Sequence, residues 1–91
     1  MGGMVRTNGG VSEHTIKRVI KQYSCPLGER EIRKALREEK NTSGVNNGYF
    51  IFSDRAIRKL RLAVRPDKIL IGIVSFGTVV TVEDKHSVRI S

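Results

Sequence analysis

Sulfur, proline and aromatic surface are all scarce in this chain. One cysteine, Cys25, stands among 91 residues, so no disulfide can form within the chain, in keeping with a reducing compartment. Cys25 has no flanking base and precedes a proline, and reads as a small, partly buried residue. The only prolines are Pro26 and Pro66, which leaves long stretches free for regular structure. There are five aromatic residues, three Phe and two Tyr, and no Trp. Single-strand binders that stack successive bases on aromatic platforms need more. No apolar run reaches the ~20 residues of a membrane span, and no basic and apolar segments pair as a signal peptide. His14 and His86 lie far apart, each without an acid or cysteine at metal-ligand spacing. The phosphate-loop patterns GxxxxGK[ST] and GxGxxG do not occur. Asp67, Glu83 and Asp84 read as turn residues, not as a catalytic carboxylate pair. The expectation is a non-enzyme with no catalytic residue, no metal and no cofactor.

Positive charge is plentiful. Seventeen Lys and Arg face nine Asp and Glu, for a net charge of +8. That balance suits a nucleic acid or another polyanion better than a small neutral substrate. The length allows one small domain. Such a chain buries roughly 60–65% of its unfolded surface, so its core is thin. Met1 to Gly10 is Gly-rich and reads as a flexible N-terminal arm, or as a leader ahead of Met4. Residues 11–91 read as the domain.

Ser12 is a good N-cap, and Val11 and Ile16 have the spacing of a hydrophobic staple. Ile16, Val19, Ile20 and Tyr23 then recur at i, i+3, i+4, i+7, which predicts an amphipathic helix over 13–23. Lys17, Arg18 and Lys21 are expected to face outward. Pro26 stops this helix. A second helix is expected over 28–40, with Glu29 and Glu31 favoured in its first turn by the helix dipole. Asn41 to Gly48 breaks all periodicity, and Asn47-Gly48 signals a two-residue hairpin. Lys40 to Phe52 therefore reads as a small hairpin, or as a loop closing on one strand, with Tyr49 to Phe52 as the strand. Ser53 caps a third helix over 54–65, stapled by Phe52 and Ile57 and ended by Pro66. Its buried stripe is Ala56, Ile57, Leu60, Ala63 and Val64. Ile69 to Val74 is a short β-branched run, read as a buried strand. Phe76-Gly77 turns the chain. Strands at 78–82 and 86–90, joined at Asp84-Lys85, complete the order α-α-β-α-β-β-β.

The second helix carries the strongest functional signal. Ile32, Ala35 and Leu36 can bury together. Arg30, Arg33, Lys34 and Arg37 follow i, i+3, i+4, i+7 spacing on another face. Like charges at i, i+4 repel by a few tenths of a kcal/mol each, and a bound polyanion would relieve them. Lys40, Asn46 and Asn47 extend this surface, and Arg58 and Lys59 offer a second basic patch on the third helix. The plain alternative is a solvated charged face.

The run EREIRKALREEKNTSGVNNGYFI, within residues 28–52, resembles the recognition-helix and wing portion of small winged helix-turn-helix DNA-binding proteins of phages and mobile elements. The resemblance implies an α+β, winged-helix-like fold of three helices and a small antiparallel β-sheet. It also implies a helix in the major groove of double-stranded DNA and a hairpin on the backbone. Arg30, Arg33, Lys34 and Arg37 would then carry the contacts. The chain departs from that family in having no further helix between the first helix and the recognition helix. Helix 54–65, with strands 68–90 as its wing, is the alternative assignment. A second stretch, VSFGTVVTV at 74–82, is similar to the opening hairpin of the C-terminal domain of bacterial transcript-cleavage elongation factors, which bind RNA polymerase.

The leading expectation is sequence-dependent binding of double-stranded DNA by a small cytoplasmic, nucleoid-associated regulator of transcription. Its mechanism is docking on phosphates with Arg readout of guanine O6 and N7. One alternative is a protein-interaction module on the transcription machinery, RNA polymerase or another protein, or a homodimer. The other is an RNA-binding accessory. Burial of strand 69–74 separates them: two covered faces favour the DNA reading, and one bare apolar face favours a partner or a second copy.

Overall fold

The structure, a computed structural model, describes residues 10–86. Most of the proposed arm and of the strand expected at 86–90 lies outside them. Helices α1 (Glu13–Gln22) and α2 (Glu29–Ser43) come first, followed by β1 (Gly48–Ile51), α3 (Asp54–Leu60), β2 (Lys68–Ser75) and β3 (Thr78–His86). The protein is thus a small α+β domain with three helices and one three-stranded antiparallel sheet, ordered β1-β2-β3.

Local signals set the helix starts. Ser12 Oγ accepts the Thr15 N–H at 3.1 Å, and Ser53 Oγ accepts the Ala56 N–H at 3.1 Å. Val11 and Ile16 are both buried, as a staple requires. The helix ends differ from expectation. α2 runs past Lys40 to Ser43 because nothing before Gly44 breaks it. Gly44, at φ 76°, then closes it by donating its N–H to the Lys40 and Asn41 carbonyls. No strand precedes Asn47-Gly48, so no hairpin forms there, and β1 pairs instead with β2, with Phe50 opposite Gly72. α3 stops at Leu60, not at 65. Arg61 turns left-handed at φ 56°, Leu62 donates back to Ile57 O, and Ala63 donates to Tyr23 O at 2.8 Å. This turn buries Leu62 but leaves Ala63 exposed. The two strands expected after Gly77 are one, Thr78–His86. Asp84 and Lys85 pair with Leu70 and Ile69 in its ladder and make no turn.

The helices cover one face of the sheet. Val19, Ile32, Leu36, Leu60, Leu70, Val79 and Val82 are fully enclosed between the layers. Gly72 makes room for the Phe50 ring. A Cβ at that position would stand 2.5 Å from Phe50 Cζ. Cys25 is buried, with Sγ donating to Leu60 O at 3.1 Å.

α1 lies along the outer edge of β3 and occupies its free carbonyls. Thr15 Oγ1 donates to Val79 O at 2.9 Å, Ser12 Oγ to Val80 O at 3.2 Å, and Arg18 Nε to Val82 O at 2.6 Å. Ahead of the helix, Val11 forms a parallel bridge with Val79. This placement corrects two expectations. Arg18 is a half-buried edge cap and does not face outward, and the helix is rotated so that Thr15 is buried while Ile20 stays 41% exposed.

The opposite edge is open, and the opposite face is only partly covered. The Phe52 N–H donates to Leu70 O at 2.8 Å, so alternation along an antiparallel pair turns the backbone groups of Tyr49 and Ile51 outward. Among the described residues nothing pairs with them. Tyr49 and Ile51, 60% and 55% exposed, join Ile69, Ile71 and Ile73 on the sheet face away from the helices, beside Glu83 and Lys85; there Ile69 and Ile73 are half-buried and Ile71 is buried.

Candidate nucleic-acid interface

α2 sorts its charges by rotation about its axis. The core takes Ile32 and Leu36. Arg33 and Lys40 flank that buried seam and turn inward. Arg33 donates to Val11 O at 2.7 Å and forms ion pairs with Glu13 at 2.9 Å and Glu29 at 2.6 Å, leaving its side chain 16% exposed. Lys40 Nζ donates to Gly77 O at 2.7 Å, at the tip of the β2–β3 hairpin. Both residues therefore serve as struts of the fold, which corrects the expectation that Arg33 belongs to the outward stripe and that Lys40 extends it.

Arg30, Lys34 and Arg37 lie further round, at i, i+4 and i+7. Arg30 and Lys34 are exposed and Arg37 is half-buried. The acids of α2 are committed elsewhere. Glu29 pairs with Arg33, Glu31 accepts the Gly28 N–H, Glu38 pairs with Lys59, and Glu39 accepts the Ser53 N–H. Among the described residues the three outward cations make no ion pair. Their mutual repulsion stays uncompensated.

The other candidates separate from this row. Lys59 reaches Glu38 at 3.4 Å, on the flank of α2 that faces α3, and Arg58 is exposed on α3. Asn46 and Asn47 hold the hairpin tip: Asn47 Oδ1 accepts the Phe76 N–H and Asn46 O accepts the Gly77 N–H, each at 2.9 Å. Phe76 itself is 84% exposed. Sequence reading took it only as a turn residue. The available signal was Phe-Gly where a two-residue hairpin turn favours Asn-Gly or Asp-Gly.

One titratable cluster is perturbed, and it is structural. Tyr23 Oη donates to Asp84 Oδ1 at 2.9 Å, and Lys68 Nζ lies 3.2 Å from Asp84 Oδ2. Burial, reinforced by the Asp84 carboxylate, pushes the Tyr23 hydroxyl up to about 12. The hydrogen bond from Tyr23, helped by Lys68, holds Asp84 below the usual carboxylate range. Neither group titrates near neutral pH, where a general acid or base would be matched to its task. Asp84 thus ties α1 to β3 and is not the turn residue expected. Among the described residues no three His, Cys, Asp or Glu stand together as a metal site, and no helix is long and apolar enough to cross a membrane.

No protein-family model, curated protein or solved structure matches this chain.

Proposed function

We propose that this protein is a small DNA-binding regulator that docks the outward row of α2, Arg30, Lys34 and Arg37, on double-stranded DNA. The observation that carries the reading is the sorting of charge on α2: its acids are engaged by other partners, and three cations at one-turn spacing, Arg30 and Lys34 exposed and Arg37 half-buried, make no ion pair among the described residues. Releasing counterions from phosphates is the strongest use of such a row. Arg30 and Arg37 have the bidentate fork that reads guanine O6 and N7. In winged-helix terms the wing is the β2–β3 hairpin, whose tip rests on Lys40 at the C-terminal end of α2. A mobility shift with random duplex DNA at two salt concentrations tests this. The slope of log K against log[salt] should lie between about −3 and −6, and replacing all three cations by Gln should reduce it by about 3. A salt-independent affinity, or no binding at ~50 mM salt, overturns the reading.

A second reading rests on the other side of the molecule. The face of β2 turned from the helices is apolar and only partly covered: Ile71 is buried, Ile69 and Ile73 are half-buried, and Tyr49 and Ile51 beside them are exposed, which leans toward a protein partner or a second copy. An unpaired β1 edge adjoins it, and uncovered edges are templates for strand addition. Sedimentation of the wild type and of Ile51→Lys, alone and with RNA polymerase, separates a self-associating chain from one that recruits a protein. A monomer that binds neither sinks the second reading.

A further inference from the structure

The tip of the β2–β3 hairpin carries a residue that its backbone does not favour. Phe76 and Gly77 bridge the paired Ser75 and Thr78 with φ of 48° and 78°, the positive pair that selects Asn-Gly or Gly-Gly in two-residue turns. A bulky aromatic in the left-handed region is an outlier. Such outliers persist only where surrounding structure holds them, and they cluster at functional positions. Three hydrogen bonds hold this one. Asn47 Oδ1 takes the Phe76 N–H, Asn46 O takes the Gly77 N–H, and Lys40 Nζ takes the Gly77 carbonyl. The end of α2 and the α2–β1 loop thus fix a turn that leaves Phe76 84% exposed.

The surroundings point to one kind of partner. Neither the stretch Asn41–Ser53 nor the stretch Val74–Val82 contains an acidic residue. Lys40 sits at the turn, and the row Arg37, Lys34, Arg30 runs back along α2 from there. A fixed, solvent-facing ring beside cations and amides can stack on a nucleobase while the cations take phosphates. A fully paired base inside a duplex offers no open face. An unpaired one does, and it costs least to reach.

Building on the proposed docking of α2, we infer that Phe76 stacks on an unpaired base, so that the preferred ligand is duplex DNA interrupted by a bulge, a junction or a frayed end. The α2 row would hold the flanking phosphates, and the hairpin tip would select the discontinuity.

Two probes test this: a 20-base-pair duplex, and the same duplex carrying one bulged 2-aminopurine. The wild type should bind the bulged probe at least about fivefold more tightly, the low end of what stacking one base contributes, and should quench its fluorescence. Phe76→Asn restores the residue that the turn favours, so the hairpin stays folded, as a thermal melt will report. It should lose both the preference and the quenching while keeping the affinity for the paired duplex and its salt slope. Phe76→Tyr should retain both. Equal wild-type affinity for the two probes, or an undiminished preference in Phe76→Asn, overturns the stacking role. Salt-dependent duplex binding would then leave the α2 reading standing. Failure of the wild type to bind either probe at ~50 mM salt overturns both.

Discussion

The two edges of the sheet are finished in opposite ways. Along β3, three side chains of α1 and its N-cap occupy Val79 O, Val80 O and Val82 O, and the Tyr23–Asp84 bond fastens the far end. Along β1 the outward backbone groups of Tyr49 and Ile51 meet nothing among the described residues. Natural sheets blunt an edge with charge, proline or a covering element. The closed edge has a covering helix, whereas no charged residue or proline occurs from Asn41 to Ser53 around the open one. A chain able to close one edge so fully has left the other usable, and a partly covered apolar face continues from it.

Four variants break or sharpen that contrast. Gly72→Ala should have the largest effect. Its Cβ would meet the buried Phe50 ring, so β1 loses its seat on β2, and overpacking of this kind costs about 1–3 kcal/mol. Chemical denaturation should place this loss at the upper end. Thr15→Val combined with Arg18→Met opens the β3 edge. It removes donors from two carbonyls, Val79 O keeps the Ser12 N–H, and the cost should be about 2 kcal/mol. Amide exchange along β3 should rise with it. A loss no greater than that of a surface substitution would show that the edge is not held by these bonds.

Tyr23→Phe should cost about 1 kcal/mol and also change the pH profile. The Tyr23 pKa rises from 10 in the unfolded chain to about 12 in the fold. Its contribution is therefore complete below pH 10 and is lost as pH climbs through 12. Asp84 works in the opposite sense, because its pKa is lowered: its contribution is present above the ordinary carboxyl range and disappears as pH falls through the folded value. The variant should lose the alkaline limb and weaken the acid one, as denaturation midpoints across pH will record. Ile51→Lys should matter least to stability, within about 0.5 kcal/mol, because the position is exposed. Its effect should appear in association with a partner or a second copy; an unchanged association state would show that the open edge is idle.

Local chemistry was legible in the sequence, and long-range placement was not. Ser12 and Ser53 cap their helices as their spacing predicts, because a cap needs only the next three residues. The Phe76-Gly77 turn and the buried run ending at Val74 were likewise visible. α2 ran on because Asn41, Thr42 and Ser43 are poor helix formers that are nonetheless tolerated until Gly44 supplies the left-handed stop. α3 ended early because Leu62 and Ala63 answer to the core and to Tyr23, which no local pattern encodes. The basic row was half legible. Its i, i+3, i+4, i+7 spacing was real, but four cations spread over a third of the helix circumference. The core edge claimed Arg33, and with it Lys40. The orientation of a helix about its own axis depends on its partners, as the exchange of Ile20 for Thr15 on α1 also shows.

The bonds that close β3 join residues 61 to 68 positions apart. This fixes an order of events during synthesis. α1 emerges from the ribosome first, yet the strand that it seals is made last among the described elements. Until β3 appears, Thr15 and the apolar stripe beside it have no sheet to cover, and neither edge is guarded. Contacts this distant in sequence also form slowly, because loop closure precedes their reward. A folding chain therefore passes through a stage in which the strands have paired and α1 has not yet docked, so that both outer margins of the sheet stay open to foreign strands.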